Sequence, residues 1–179
     1  MALAVRADAA YVLVRRMETH ELYIVAEDLA ESLASVPAGR PGESGTLGPF
    51  EKVATVAGAD LVGSTYECPW MLPTEERFLM NAPFVTTDAG TGIVHMAPAH
   101  GQEDYEVWRD AGFLKKYGLK SPVDALGRLV TDASWGLNDV IRADVARLHG
   151  LEALGDGTER LLQLLDAHSV LLSERPYVH

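Results

Sequence analysis

One stretch of this 179-residue chain concentrates the residue types that do chemistry, running from Asp88 to Tyr105 as Asp-Ala-Gly-Thr-Gly-Ile-Val-His-Met-Ala-Pro-Ala-His-Gly-Gln-Glu-Asp-Tyr. Gly90 and Gly92 allow a ligand to approach the backbone closely, while His95, His100 and Asp104 bring two imidazoles and a carboxylate to a strand end and a helix start. Such a set can surround a small polar ligand. The residues alone leave blander readings open, because Gly-Thr-Gly also makes a plain tight turn and a histidine also serves as a hydrogen-bonded structural residue. His95, His100 and Asp104 are competent metal ligands, but the histidines are not at the i, i+4 spacing of a helical zinc motif, and Pro98 breaks any helix between them. No metal site is expected. A phosphate cradle would need a further glycine and a lysine that Gly90-Thr91-Gly92 lacks, and no serine nucleophile elbow is present.

The elements that must position this stretch follow from local pattern. Tyr11–Arg16 and Leu22–Val25 are β-branched and aromatic runs around the polar Met17–Glu21, which predicts a hairpin. Ala26, Leu29, Ala30, Leu33 and Ala34 share a helical face, with Glu27 and Asp28 in the first turn where acids suit the helix dipole. The glycine- and proline-rich Pro37–Pro49 predicts a surface loop. Phe50–Ala57 predicts a strand ended by Gly58, and Leu61–Cys68 a further extended segment. Phe84–Thr87 and Gly92–Ala97 predict a hairpin around Asp88-Ala89-Gly90. Helices are expected on Tyr105, Trp108 and Gly112, on Ile141, Val145 and Leu148 capped by Asn138, and on Leu161, Leu162 and Leu165 capped by Thr158. Ser169–Ser173 predicts a closing strand. Met80, Met96 and Trp108 are assigned to the core or its rim, and Cys68, the single cysteine, is expected to act as a small buried hydrophobe. The sum is one domain, mainly β, with short strands at the spacing of a barrel or sandwich and with peripheral α-helices.

Composition narrows the function. A net charge of −11 argues against gripping nucleic acid along a phosphate backbone, so any RNA contact should be small and local. No apolar run reaches the length of a membrane span, and no signal peptide is evident.

The segment Asp88–Tyr105 is similar as a whole to the signature of isoleucyl-tRNA synthetase editing domains. His95 stands where valyl enzymes usually have lysine, and Gly101 where valyl and leucyl enzymes usually have aspartate, so the resemblance is to the isoleucyl type. It extends to Ala2–Val5 with Asp8 and Tyr11–Val14, to Asn81–Val85, to Pro122-Val123-Asp124 with Gly127-Arg128, and to Tyr177 and His179. The fold implied is the editing β-barrel shared by the valyl, isoleucyl and leucyl enzymes, mainly β with peripheral helices. Residues 1–179 would form a single editing domain, a fragment of a larger class I synthetase. The family's threonine-rich peptide, one wall of the hydrolytic pocket, precedes the stretch matched here, so the fragment is expected to lack it.

The activity implied is hydrolysis of valine mischarged onto tRNA(Ile), with valyl-adenylate as a second candidate substrate. A synthetic pocket sized for isoleucine cannot exclude valine by sterics whereas a smaller second pocket can exclude isoleucine, a limit for which the isoleucine enzyme is itself the usual illustration. By resemblance, Asp104 binds the α-ammonium group of the substrate and His95 lines the side-chain end of the pocket; these two carry the catalytic assignment. Thr91, Gly90 and Gly92 border the substrate near the ester carbonyl and attacking water. Placement is the role implied for Asp104, because aspartates as a type take protons weakly at neutral pH. No cofactor is expected in this domain; ATP and magnesium would belong to the parent's synthetic domain. The partners implied are the 3′ end of tRNA(Ile), its mischarged valine and the rest of the synthetase chain, with no membrane. The isolated fragment would be a monomer and the parent cytoplasmic, an organellar parent also being open. Two competing readings are a free-standing deacylase acting in trans and a non-catalytic tRNA-docking domain.

Overall fold

Tyr11, Val12 and Val14 are buried to 2% exposure or less, and their strand, Ala10–Arg16 (β2), is the centre of a sheet. It pairs antiparallel with Leu22–Ala26 (β3) on one side and Phe50–Ala57 (β4) on the other, in the order β3-β2-β4. The predicted hairpin is present, its turn closed by the Arg16 N–H donating to the Glu21 carbonyl at 2.8 Å. The predicted helix after Ala26 is also present, as a 3₁₀ turn at Glu27–Leu29 continuing into Ala30–Ala34 (α1). β4 stops at Gly58, which opens the short helix Gly58–Leu61 (α2).

A second sheet, in the order β5-β1-β6, carries the chemistry-bearing stretch. Its central strand Ala2–Val5 (β1) runs parallel to Leu79–Asn81 (β5) and antiparallel to Val94–Met96 (β6), with Leu3 opposite His95 and Ala2 opposite Met96. Side chains alternate across a strand, so Ala2, Ala4, Met80 and Met96 fall on one face, where they form a core with Ala82, Val85 and Trp108. Trp108 belongs to Gln102–Asp110 (α3), which packs here together with Phe113–Tyr117 (α4). The Trp108 and Phe113 rings meet edge to face at 5.1 Å, and the indole N–H donates to the Gly118 carbonyl at 3.0 Å. Burying each large apolar side chain of this kind stabilises by about 1.5–3 kcal/mol. Met80, Met96 and Trp108 are thus core residues, as expected from sequence.

The computed structural model describes residues 2–39, 45–68, 76–132 and 137–174. They group into two units, the first drawn from Met1–Ala38, Ser44–Tyr66 and Arg77–Leu119 and containing both sheets, the second chiefly from Lys120 onward. In the second unit Asp139–Ala146 (α5) and Asp156–Ala167 (α6) close a core of Leu137, Ile141, Val145, Leu148 and Leu164. Asn138 caps α5 as expected, its Oδ1 accepting the Ile141 N–H at 3.2 Å. The Pro122-Val123-Asp124 segment makes a turn in which Asp124 Oδ1 accepts the Arg128 and Leu126 N–H groups, each at 2.9 Å. Those bonds, the Arg128 one foremost, hold the Asp124 carboxyl below the usual carboxylate range. No helix among the described residues is long and apolar enough to cross a membrane.

Several local expectations are corrected. Among the described residues the two three-stranded sheets are not closed, so the expected architecture of strands with peripheral helices holds and the barrel is matched only loosely. Phe84–Thr87 is not a strand, because Pro83-Phe84 forms a turn in which the Val85 N–H donates to the Ala82 carbonyl; the strand lies just before it at β5. Consequently β6 pairs with β1 and makes no local hairpin. Leu61–Cys68 is not a continuous extended segment: Leu61 ends α2, and among the described residues Thr65 makes an isolated bridge to Phe78. Residues 40–44 of the expected Pro37–Pro49 loop lie outside the described residues; beyond them Leu47 is fully buried, its N–H donating to the Val36 carbonyl, so it belongs to the core and not to a surface loop. Gly112 lies beyond the end of α3, and Thr158 sits inside α6, which begins at Asp156. Cys68 is only half-buried. Ser169–Ser173 forms no strand; the Val170 and Leu171 N–H groups both fold back onto the Leu165 carbonyl. Tyr177 and His179 lie outside the described residues.

Adjacent positions on α5 test the core of the second unit. Ile141 is fully buried and Val140 is 76% exposed. Ile141→Ala should cost about 2–5 kcal/mol, whereas Val140→Ala should stay within about 0.5 kcal/mol, measured by urea denaturation of each variant.

Candidate functional site

The signature stretch is folded around three fixed points. The first is β6. Its antiparallel register puts His95 on the sheet face opposite the buried Met96, alongside Leu3, where the imidazole keeps an exposed surface. Its surroundings still desolvate it enough to lower its pKa below the ordinary 6.5, the largest influence, while the carboxylate of Asp104 pulls in the other direction.

The second fixed point is the turn after β6. The His100 and Gly101 N–H groups both donate to the Ala97 carbonyl, at 2.8 and 3.1 Å, and so reverse the chain into α3. Asp104, half-buried in the first turn of that helix, reaches back so that its Oδ2 accepts the Ala97 N–H at 2.8 Å. A carboxylate there is also favoured by the positive end of the helix dipole. Gly101 makes room for it: a Cβ at 101 would lie 2.9 Å from Asp104 Oδ2. One carboxylate therefore ties the end of the His95 strand to the start of α3, and His95 and Asp104 come within electrostatic reach of each other.

The third fixed point is Gly90-Thr91-Gly92. The Thr91 hydroxyl is bonded to both polar groups of Ile93, accepting its N–H at 3.3 Å and donating to its carbonyl at 3.1 Å. The Thr91 carbonyl accepts the Ala26 N–H at 2.9 Å, and the Gly92 carbonyl accepts the Tyr11 hydroxyl at 2.7 Å. Gly92 has φ +71° and approaches Ala26 so closely that a Cβ there would lie 2.5 Å from the Ala26 Cβ, so only glycine fits. Sequence reasoning assigned Tyr11 and Ala26 to secondary structure alone. The signal that could have found Tyr11 is a phenol beside the aliphatic core residues Val12 and Val14, since a buried tyrosine hydroxyl needs a partner.

His100 is exposed and takes its place in the turn through its backbone. Among the described residues no three His, Cys, Asp or Glu side chains are placed to hold a metal ion. An open cavity of about 590 Å³ lies on the other side of α3, between its Glu103, Glu106 and Asp110 face and the side chains of Phe78, Phe84 and Phe113; Thr91, His95 and Asp104 do not line it.

Comparison with known proteins agrees with the signature. No family model matches the chain. Along its whole length it is 37% identical over 184 residues to an isoleucine–tRNA ligase of Thermosynechococcus vestitus, 36% identical over 179 residues to that of Gloeobacter violaceus, and 33% identical over 184 residues to that of Gloeothece citriformis. In each case the chain spans only 16% of the length of the relative. Among solved structures it is similar to the chain of "The crystal structure of GlLeuRS-CP1", with a TM-score of 0.59 at 19% identity, covering 98% of this chain and 78% of that one. That likeness is one of fold.

The proximity of His95 and Asp104 has a measurable consequence. Titration of His95 followed by NMR should give a pKa below 6.5, and Asp104→Asn, which removes the carboxylate that raises it, should lower it further. An unmoved His95 in that variant would mean that the two side chains do not share a site. The sign for stability follows: the unfolded chain takes up the proton at higher pH than the folded one. The contribution of His95 is thus present above about pH 6.5 and lost as pH falls through the lower folded value, and His95→Gln should remove that dependence.

Proposed function

Because the chain is homologous along its whole length to a stretch of the isoleucine–tRNA ligases, we propose that it is the domain in which such an enzyme hydrolyses valine wrongly esterified to tRNA(Ile). The observation that carries this reading is the Asp104 carboxylate, locked by the Ala97 N–H at the end of the strand that presents His95. That bond occupies Oδ2 and leaves Oδ1 to meet the α-ammonium group of the aminoacyl ester, a charge-assisted contact that fixes the substrate without proton transfer.

His95 then limits side-chain size. Desolvation favours its neutral form, which can stand against the apolar side chain of valine without presenting a charge, and its bulk excludes the additional methylene of isoleucine. Thr91, Gly90 and Gly92 border the ester, where backbone and hydroxyl groups help to place the carbonyl and the attacking water. The net charge of −11 disfavours extended phosphate contacts, so the remainder of the synthetase supplies most of the affinity for tRNA and this domain receives only the 3′ end. The domain needs no cofactor for this chemistry; ATP serves the synthetic reaction elsewhere in the parent.

The test is deacylation of valyl-tRNA(Ile) and isoleucyl-tRNA(Ile) by the full-length synthetase that carries this segment. Asp104→Ala should abolish hydrolysis of valyl-tRNA while leaving isoleucine activation nearly intact. His95→Ala should do something different and admit isoleucyl-tRNA, since only about 1–3 kcal/mol of steric discrimination separates substrates that differ by one methylene. Retention of valyl-tRNA clearance by Asp104→Ala, with isoleucyl-tRNA still ignored by His95→Ala, would overturn both assignments.

A further inference from the structure

The Gly90–Gly92 segment is held from behind by residues that no step of the proposed hydrolysis uses. We propose that Tyr11 is a positioning residue for the site, orienting the Thr91 hydroxyl through the peptide between Gly92 and Ile93. The proposal rests on the reading of the site given above and adds a residue from another sheet to it.

Tyr11 and Ala26 are register partners in the β2–β3 ladder, and both are fully buried. They grip successive carbonyls: Ala26 donates its N–H to Thr91, and Tyr11 donates its hydroxyl to Gly92. The Tyr11 oxygen is itself fixed, because it accepts the Arg6 N–H at 2.9 Å. A trans peptide is planar, with its C=O and N–H pointing in opposite directions. Anchoring the Gly92 carbonyl on Tyr11 therefore aims the Ile93 N–H the other way, and that N–H donates to Thr91 Oγ1. In the same way the Ala26 bond turns the Gly92 N–H away from the sheet. The phenol thus reaches the Thr91 hydroxyl through a single rigid peptide unit. Gly92 completes the clamp from the other side, since its missing Cβ is what lets Ala26 come close.

Tyr11→Phe removes the hydroxyl and keeps the ring. Two measurements separate this proposal from the functional reading. Amide hydrogen exchange of the folded variant should rise by about tenfold or more at residues 90–93, with the β1–β6 ladder unchanged. In the full-length synthetase, kcat for valyl-tRNA deacylation should fall by about tenfold or more, while KM stays within about twofold and isoleucine activation is unaltered. Tyr23→Phe is the control; its phenol bonds to Glu21 outside the site, and it should change neither readout. Should Tyr11→Phe fail to fold, exchange in the unsubstituted protein decides: the Ile93 amide should exchange as slowly as the β1–β6 ladder, and an unprotected Ile93 amide would overturn the clamp. Unchanged exchange at residues 90–93, or raised exchange with an unchanged kcat, would overturn the positioning role. A wild-type enzyme that never clears valyl-tRNA would overturn the functional reading, and the exchange measurement would still decide whether the clamp exists.

Discussion

The antiparallel register between β1 and β6 is the constraint on which the rest of the first unit depends. It joins segments separated by some ninety positions in the chain, with Ala2 opposite Met96 and Leu3 opposite His95. A slip of one residue would turn Met96 out of the core and drive His95 into it, since strand side chains alternate with a period of two. The buried cluster of Ala2, Ala4, Met80, Met96 and Trp108 fixes the register by its apolar area. Facing His95 outward is a consequence of packing on the other side of the sheet. The helix that carries Asp104 inherits its position from the same cluster, because Trp108, one turn later, is anchored there.

Elements whose signal is local were legible from sequence, and those that depend on distant partners were not. The β2–β3 hairpin, the end of β4 at Gly58 and the Asn138 cap each follow from a handful of neighbouring residues. β5 is three residues long and is a strand only because β1 lies beside it; nothing in Leu79-Met80-Asn81 marks it in isolation. The Phe84–Thr87 expectation failed for the complementary reason, since a β-like composition was overruled by the Pro83 turn. Ser169–Ser173 had the composition of a strand and no ladder to join.

The same division runs through the site. The places of Asp104 at a helix start and of His95 near a strand end were readable from residue types and spacing, and the roles proposed for them rest on the resemblance. Which atoms they engage was not readable. The Ala97–Asp104 bond needs the turn at Pro98 to close, and the grip of Tyr11 and Ala26 on Thr91 and Gly92 brings residues together across more than sixty positions of chain. A pattern along one dimension carries no trace of such contacts beyond the oddity of a tyrosine among aliphatic core residues.

The space above Gly101 is a berth for one carboxylate. Asp104 fills it, and a Cβ at 101 would meet both Oδ2 at 2.9 Å and Cγ at 3.1 Å. Positions 101 and 104 are therefore not independent sites of variation. Any side chain at 101 would have to push the acid at 104 out of this berth and away from the Ala97 N–H.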